Sequence, residues 1–363
     1  MTRRAGLTIA ALAAGAWIIA YLTNRQAPAY YDFIALYASA RLVALGRPAD
    51  VTDPAAIFAM EGATRADLPA PLNNPNPPIV SLILAPIGAL PFELAYPVML
   101  TLAVLAIAGA AVLLAPLAAP AQRGRLRLFA FLSPPTLVAL AQGQLTPFVL
   151  LAIAGALRSS GARAGLLLSL TALRPQLLPL FALCALADRR RAIAFVAGVA
   201  GIVAASAALV GPDGLARYPA LVTYAAAEGL PDELGLGSLV RRLFFGTGGS
   251  GTLVSIVGSA LTLLIGAIAV LRAPTSERPT VAGPWALLGA PHALLHDPLV
   301  AYPAVAAQAT TAPRTYAWVL SGIGAMLLHG AGIPAATLWL GVLALARLPR
   351  RYTAGVPQAA PVR

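Results

Sequence analysis

The sequence contains no lysine and a single cysteine, and charged residues make up only 10% of its 363 residues. Because Cys184 stands alone, neither an internal disulfide nor a cysteine metal cluster can form. A soluble domain carries about a quarter charged residues. The polar residues here are therefore too few to cover a water-soluble protein of this size.

Apolar residues account for 59% of the chain, and apolar runs of near-spanning length recur along all of it. This pattern predicts an all-α, polytopic membrane protein rather than a globular domain with one anchor. The net charge of +12 raises the question of nucleic-acid binding, which needs cations clustered on a water-facing surface. The arginines instead stand in short groups between apolar runs, so no nucleic-acid partner is expected.

These arginine groups predict the topology, since cytoplasmic loops carry an excess of positive charge. Arg3 and Arg4 place the amino terminus in the cytoplasm, and the later groups then give about twelve transmembrane helices with both termini inside. Residues 1–350 form one domain, with outer loops at 24–76 and 211–250, and residues 351–363 form a cytoplasmic tail expected to be disordered. Between two cytoplasmic groups, residues 164–187 must cross an even number of times, which predicts two short helices hinged at Arg174-Pro175.

The outer loops are predicted to carry amphipathic helices that lie on the membrane surface. Residues 33–45 keep apolar side chains at helical spacing, and Gly46 stands where that helix should stop. Asp53-Pro54 then has the order of a capping residue followed by proline in a first helical turn.

Although the topology uses arginines alone, it brings many other polar residues to the outer side. These are Asp32, Asp53, residues 73–76, Gln142, Gln144, Arg174, Asp213, Asp232, Glu233, His292, His296 and Asp297. Polar groups that interrupt or border apolar segments are expensive in a bilayer and are functional candidates. The pattern therefore predicts one site, at the outer face.

Five segments are similar, in order, to the motifs of one family. YYDFIALYASARLVALGRPADVTDP resembles its first-loop signature "DF…Y…A…L…G…P.D", and NPNPPIVSLILAPIGALPFELAY is similar to "YPP…LL.PL..LP…AY", with Asn76 where an aromatic residue is usual. GQLTPFVLL resembles a "GQ.N" turn, with Thr146 at the Asn-like position. LSLTALRPQLLPLF is similar to a Lys-Pro-Gln hinge, with Arg174 instead of lysine, and LLGAPHALLHDPLVAYPA looks like "SPHA…HD…L…P". The family is glycosyltransferase family 87, whose members have the GT-C membrane fold and use polyprenyl-phosphate sugars.

The resemblance implies a GT-C-like bundle that transfers a hexose, expected to be mannose, from a polyprenyl-phosphate donor to a lipid or glycan acceptor. The expected location is the cell's inner (plasma) membrane, with the site facing outward and with membrane lipids as surroundings. The donor is a substrate, and no cofactor or metal is expected. The alternatives are a lipid or sugar transporter or flippase, and a catalytically degenerate member acting as a scaffold.

The chemistry of such a transfer can be set against the residues. A polyprenyl phosphate leaves as a stabilised anion, so no general acid is needed, and one carboxylate that deprotonates the acceptor suffices for inversion. Asp32 follows the first helix with no carboxylate at short spacing, and is expected to be that base. Asp is also a favoured N-cap, so Asp32 could instead cap the helix at 33–45, and both roles can coexist.

The remaining site residues divide into two expected groups. Arg174, His292 and His296 are expected to bind the donor phosphate, since a guanidinium fork suits phosphate oxygens. The alternatives are an interfacial arginine that snorkels and a metal pair formed by two histidines one helical turn apart, although no third ligand is evident. Gln142, Gln144, Asn76 and Asp297 are expected to contact the sugar or the acceptor. The two glutamines could equally be turn residues, and Asp297, before Pro298, could be an N-cap.

Overall fold

A computed structural model of the protein describes residues 3–26, 31–65, 72, 74–227, 233–245, 249–329 and 334–346. Within these ranges the regular secondary structure is entirely helical, and there is no β-strand. The predicted all-α class is therefore confirmed. Asn73, Asp232 and the predicted tail at 351–363 lie outside the described residues.

Seventeen α-helices are distributed over the described ranges, with short 3-10 turns at several of the breaks. They are α1 (Arg3–Gln26), α2 (Tyr31–Ala44), α3 (Pro54–Thr64), α4 (Ile79–Gly88), α5 (Phe92–Leu114), α6 (Arg123–Leu132), α7 (Pro134–Ala141), α8 (Thr146–Leu157), α9 (Gly161–Ser169), α10 (Leu178–Ala185), α11 (Arg189–Ala227), α12 (Leu236–Phe244), α13 (Gly249–Arg272), α14 (Arg278–Gly289), α15 (Tyr302–Gln308), α16 (Ala312–His329) and α17 (Ala335–Ala346).

Among the described residues, three helical segments are long and apolar enough to cross a membrane: Phe92–Leu117, Arg189–Leu221 and Gly251–Arg272. Several shorter apolar helices, such as α4, α8 and α17, accompany them. The long helices expose apolar side chains that an aqueous protein would bury. In α5, for example, Leu105 is 61% exposed while Met99 and Leu100 are fully buried. The count of about twelve crossings stays a prediction.

Short helices and turns occur beside the polar residues of the middle part of the chain. A short helix, α4, precedes the long α5, and the chain reverses between α7 and α8 at residues 142–145. The predicted hinge also occurs, because α9 runs into a 3-10 turn that ends at Leu173 and a second 3-10 turn begins at Pro175. Arg174 joins the two in a non-helical conformation.

The first helix predicted for the outer loops, α2, differs from the expected amphipathic surface helix. α2 ends as predicted at Gly46, which has a φ of +76°, and the amide of Arg47 donates to the carbonyl of Leu42 as in a Schellman cap. However, all eight residues from Phe33 to Ala40 are buried, so no side of the helix is exposed to solvent along that stretch. Its mostly apolar residues allow this, because a helix apolar all round is packed on every side.

The second short helix agrees better with the prediction. Asp53 accepts a hydrogen bond from the amide of Ala55 at 3.0 Å and so caps α3. On α3, Ile57 and Glu61 are buried while Phe58 is exposed, which gives the helix one packed face and one open face.

In the second predicted outer loop, at 211–250, most of the residues that the structure describes are helical. Gly211, with φ 68° and ψ −177°, breaks α11, and the helix then continues to Ala227. α12 has an unusual polarity, because Ser238 and Arg241 are buried while Leu243 and Phe244 are 58% and 74% exposed. A helix that turns its apolar side outward suits an interfacial position.

Candidate functional site

The site is built on the turn between α7 and α8. The hydroxyl of Tyr96, on α5, donates to the last two carbonyls of α7 at 3.3 and 3.2 Å and fixes where the turn begins. Gly143 has a φ of +61°, and a Cβ there would lie 2.8 Å from the ring of Phe33. A residue with a side chain would be both strained and in collision. This glycine therefore lets the turn lie against the start of α2, beside Asp32.

A chain of hydrogen bonds connects Asp32 to the hinge. The side-chain amide of Gln144 donates to Oδ2 of Asp32, and its carbonyl oxygen accepts from Nη1 of Arg174 at 3.1 Å. Both ends of the amide are satisfied only in this orientation, since a carboxylate accepts and a guanidinium donates. Gln144 therefore links the positive charge of Arg174 to the carboxylate of Asp32. Asp32 lies in the first turn of α2, where the helix dipole also favours its negative charge.

The other guanidinium nitrogen of Arg174 contacts the loop after α14. Nη2 donates to Oδ1 of Asp297 and lies 2.9 Å from Nε2 of His296. The hydroxyl of Thr146 donates to the same carboxylate oxygen at 3.2 Å. Arg174 is 8% exposed, and its Nε has no hydrogen-bond partner within the described part of the chain. The arginine thus joins three separate segments and keeps one donor free.

The hydrogen bonds of His296 define its protonation. Because arginine only donates, the His296 Nε2 that it contacts must carry a lone pair. The proton then sits on Nδ1, which donates to Oε1 of Gln142 at 3.0 Å. Burial lowers the pKa of His296, and the attraction of Asp297 opposes this while Arg174 adds to it. Geometry and pKa agree on a neutral imidazole at pH 7.

Asp297 is an ionised counter-charge rather than a free carboxyl. Burial alone would raise its pKa, but the guanidinium of Arg174 and the hydrogen bond from the amide of Leu294 outweigh burial and hold the pKa below its usual range. Its Oδ2 accepts from the amide of Leu294 at 3.0 Å, so both oxygens are engaged. The predicted N-cap role is wrong: the side chain bonds backward to residue 294, and His296 occupies the cap position of the following 3-10 turn.

His292 lies in the same loop but has different neighbours. Its Nδ1 is 3.3 Å from Oε1 of Glu233, and Oε2 of Glu233 accepts from Arg241 at 3.1 Å. Residues 291–296 are not helical, so the two histidines do not stand one helical turn apart as their spacing predicted. Among the described residues no three His, Cys, Asp or Glu side chains are grouped in a way that could hold a metal ion.

Comparison with known proteins adds independent information. The sequence profile of Glycosyltransferase family 87 matches residues 74–295, more than half of the chain. The chain belongs to glycosyltransferase family 87. No curated protein and no solved structure matches it. As a member of family 87 with apolar helices of spanning length, the protein is a membrane glycosyltransferase.

Within this family 87 protein, the structure brings most of the predicted site residues together. Asp32, Gln142, Gln144, Arg174, His296 and Asp297 form one hydrogen-bonded cluster. His292 lies in the same loop as His296 but is bonded to Glu233 instead. Asn76 is not bonded to this cluster, and its side chain donates instead to Asn74 at 2.8 Å.

Two residues that contact the family 87 site, Thr146 and Glu233, are not among the predicted site residues. Thr146 was noted only as a departure from the family motif, and Glu233 only as an outer polar residue. Glu233 is 1% exposed and lies 59 residues from its partner His292. The sequence does not show that Glu233 lies next to a histidine. An acidic residue in so apolar a chain does, however, mark a candidate functional residue.

Proposed function

We propose that the protein transfers a hexose, expected to be mannose, from a polyprenyl-phosphate donor to a lipid or glycan acceptor at the outer face of the plasma membrane. Asp32 acts as the general base. Membership of family 87 supports the reaction class. The observation that carries the proposal is the bonded chain from Asp32 through Gln144 to Arg174.

The hydrogen bonds from Asp32 through Gln144 to Arg174 allow a role in the reaction to be proposed for each residue. The carboxylate of Asp32 has one oxygen bonded to Gln144, and its other oxygen takes the proton of the acceptor hydroxyl. The acceptor oxygen forms a bond to the anomeric carbon as the bond from that carbon to the phosphate oxygen breaks. The electron pair leaves on the polyprenyl phosphate, and the anomeric configuration inverts. Asp32 then loses its proton to water.

The donor phosphate would bind on the side of Arg174 and the histidines. The free Nε–H of Arg174 is a buried donor, and an unmade hydrogen bond there costs about 1–3 kcal/mol. A phosphate oxygen could satisfy it. Asp297 already neutralises most of the guanidinium charge, so we assign Asp297 to hold Arg174 in place rather than to contact sugar. The half-buried Gln142 keeps its amide NH₂ available for a sugar hydroxyl.

Replacement of Asp32 by Asn tests the proposal. Asn has the same shape but cannot accept the acceptor's proton, so turnover with polyprenyl-phosphate mannose should fall by about 100-fold or more, the range of a lost general base. Thermal unfolding of the purified variant should stay close to wild type. Asp53→Asn, at the cap of α3, is the matched control and should keep full activity.

The outcomes separate the candidates. An active Asp32→Asn enzyme would remove the base assignment. Wild-type protein that binds the donor without transferring the sugar would instead be a degenerate member of the family. Movement of the intact donor across a vesicle membrane, without cleavage, would indicate a flippase.

A further inference from the structure

His292 stands at the edge of the site with one ring nitrogen bonded and the other free. Its side chain is 27% exposed, whereas Glu233, which contacts its Nδ1, is 1% exposed. Since an ionised carboxylate only accepts, the shared proton belongs to Nδ1. No described residue forms a hydrogen bond with Nε2, so this nitrogen is available to a ligand.

Glu233 is held firmly from several directions. Arg241 bonds to its second carboxylate oxygen at 3.1 Å, and Arg242 bonds to its main-chain carbonyl at 2.6 Å. The next amide, of Leu234, donates to the carbonyl of Ala293, beside His292, at 2.7 Å. Thr337, on α17, donates to the carbonyl of Leu234 at 2.9 Å.

α12 buries polar side chains and exposes apolar ones, and the contacts of Glu233 with this helix indicate a role beyond packing. Arg241 is buried on the inner side of α12, at 8% exposure, where an unpaired cation would be expensive. Glu233 compensates it with one oxygen and still directs the other oxygen at His292. A carboxylate that served only to neutralise Arg241 would not need to lie within hydrogen-bond range of a partly exposed histidine.

We propose that Glu233 is a positioning residue for His292, and that it presents Nε2 of this histidine to the phosphate of the lipid-linked donor. By accepting a hydrogen bond from Nδ1–H, Glu233 fixes the tautomer and the ring plane, as carboxylates do for functional histidines. When a phosphate anion binds, Nε2 takes up a proton from the surrounding water and donates a charge-assisted hydrogen bond to a phosphate oxygen. This inference rests on the proposed function, because it assumes that the donor phosphate binds near His292.

The tautomer can be measured directly, since the chain has three histidines. In ¹⁵N-histidine-labelled protein without substrate, assigned with His292→Ala and His296→Ala, His292 should carry its proton on Nδ1. Glu233→Gln should remove this preference, whereas Glu277→Gln, at the opposite end of α14, should not. An unchanged His292 signal in Glu233→Gln would overturn the pairing, whether or not the enzyme transfers sugar.

The effect on the donor is measured by steady-state kinetics with polyprenyl-phosphate mannose. Glu233→Gln should raise the donor KM about tenfold, as expected when roughly 1.4 kcal/mol of binding is lost, with a smaller change in kcat. In a His292→Ala background the same replacement should have no further effect on KM, because Glu233 acts through the ring. An equal effect in both backgrounds would show a structural role only.

Glu233→Asp covers the case in which Glu233→Gln fails to fold with Arg241 unpaired. It keeps the charge but shortens the side chain by one methylene, so the protein should fold, the Nδ1 preference should weaken, and the donor KM should rise. A folded Glu233→Asp protein with an unchanged tautomer and KM would overturn the inference. If the tautomer changes as expected but wild-type protein never binds the donor, the pairing stands, while the proposed function and the role toward phosphate both fail.

Discussion

Replacement of Asp297 by Asn tests the central ion pair of the site. Oδ1 of Asp297 accepts from Arg174 and Thr146, and Oδ2 accepts from the amide of Leu294. Asn has nearly the same shape, but one of its two positions becomes an NH₂ donor. In either orientation this donor faces another donor, and Arg174 also loses its counter-charge.

The expected loss of stability follows from the burial of the pair. The two side chains are 10% and 1% exposed, and removing one partner of a buried ion pair costs about 3–5 kcal/mol. Arg174 keeps its bonds to Gln144 and His296, so the low end, about 3 kcal/mol, is expected. At about 2 °C for each kcal/mol in a chain of this size, the unfolding midpoint should fall by about 6 °C.

The assay is thermal unfolding in detergent, followed by tryptophan fluorescence at several pH values. The lowered pKa of Asp297 means that the pair stabilises the fold above the unfolded pKa of about 4 and ceases to do so as the pH falls through the folded pKa. Wild type and Asp297→Asn should therefore differ most near pH 7 and converge below about pH 4. Asp53→Asn is the control, since Asn caps a helix nearly as well as Asp. A midpoint within a degree of wild type at pH 7 would refute the ion-pair reasoning.

Two further predictions concern buried titratable groups. Burial lowers the pKa of His296, so below about pH 6.5 this histidine is protonated in the unfolded chain but still neutral in the folded one. The free energy of unfolding should therefore decrease as the pH drops below about 6.5. His296→Gln should flatten that part of the curve, and an unchanged slope would contradict a neutral, buried ring. Burial raises the pKa of Glu61 to about 7, so the folded protein loses stability as the pH rises from about 4.5 to 7. Glu61→Gln should therefore gain stability relative to wild type at pH 8, by up to about 3 kcal/mol, but not at pH 4; equal differences at both pH values would contradict the raised pKa.

Much of the fold could be predicted because the strongest signals are local. Proline and glycine mark breaks whatever surrounds them, so the hinge at Arg174-Pro175 and the end of α2 at Gly46 agree with the structure. The burial of α2 could not be predicted in the same way. A mostly apolar helix that carries one arginine can lie at an interface or inside a bundle, and the neighbours decide between them.

The site shows the same division between local and distant information. The polar residues could be selected because each is conspicuous in an apolar chain, and the cluster contains most of them. Their bonding could not, since Gln144 and Asp32 are 112 residues apart and Arg174 and Asp297 are 123 residues apart. Only the packed helices determine that Asp297 neutralises Arg174, or that His292 and His296, four residues apart, have separate partners.

Thr337 has a consequence for how this enzyme can be divided. The family profile begins at residue 74 and ends at residue 295. The candidate base precedes this stretch, and both Asp297 and Thr337, the α17 threonine that donates to the carbonyl of Leu234 beside Glu233, follow it. A fragment trimmed to the matched boundaries would contain Arg174 without either carboxylate that it serves. The proposed site therefore extends beyond the matched stretch on both sides, and domain exchanges between relatives should carry α2 and α17 along with the central part.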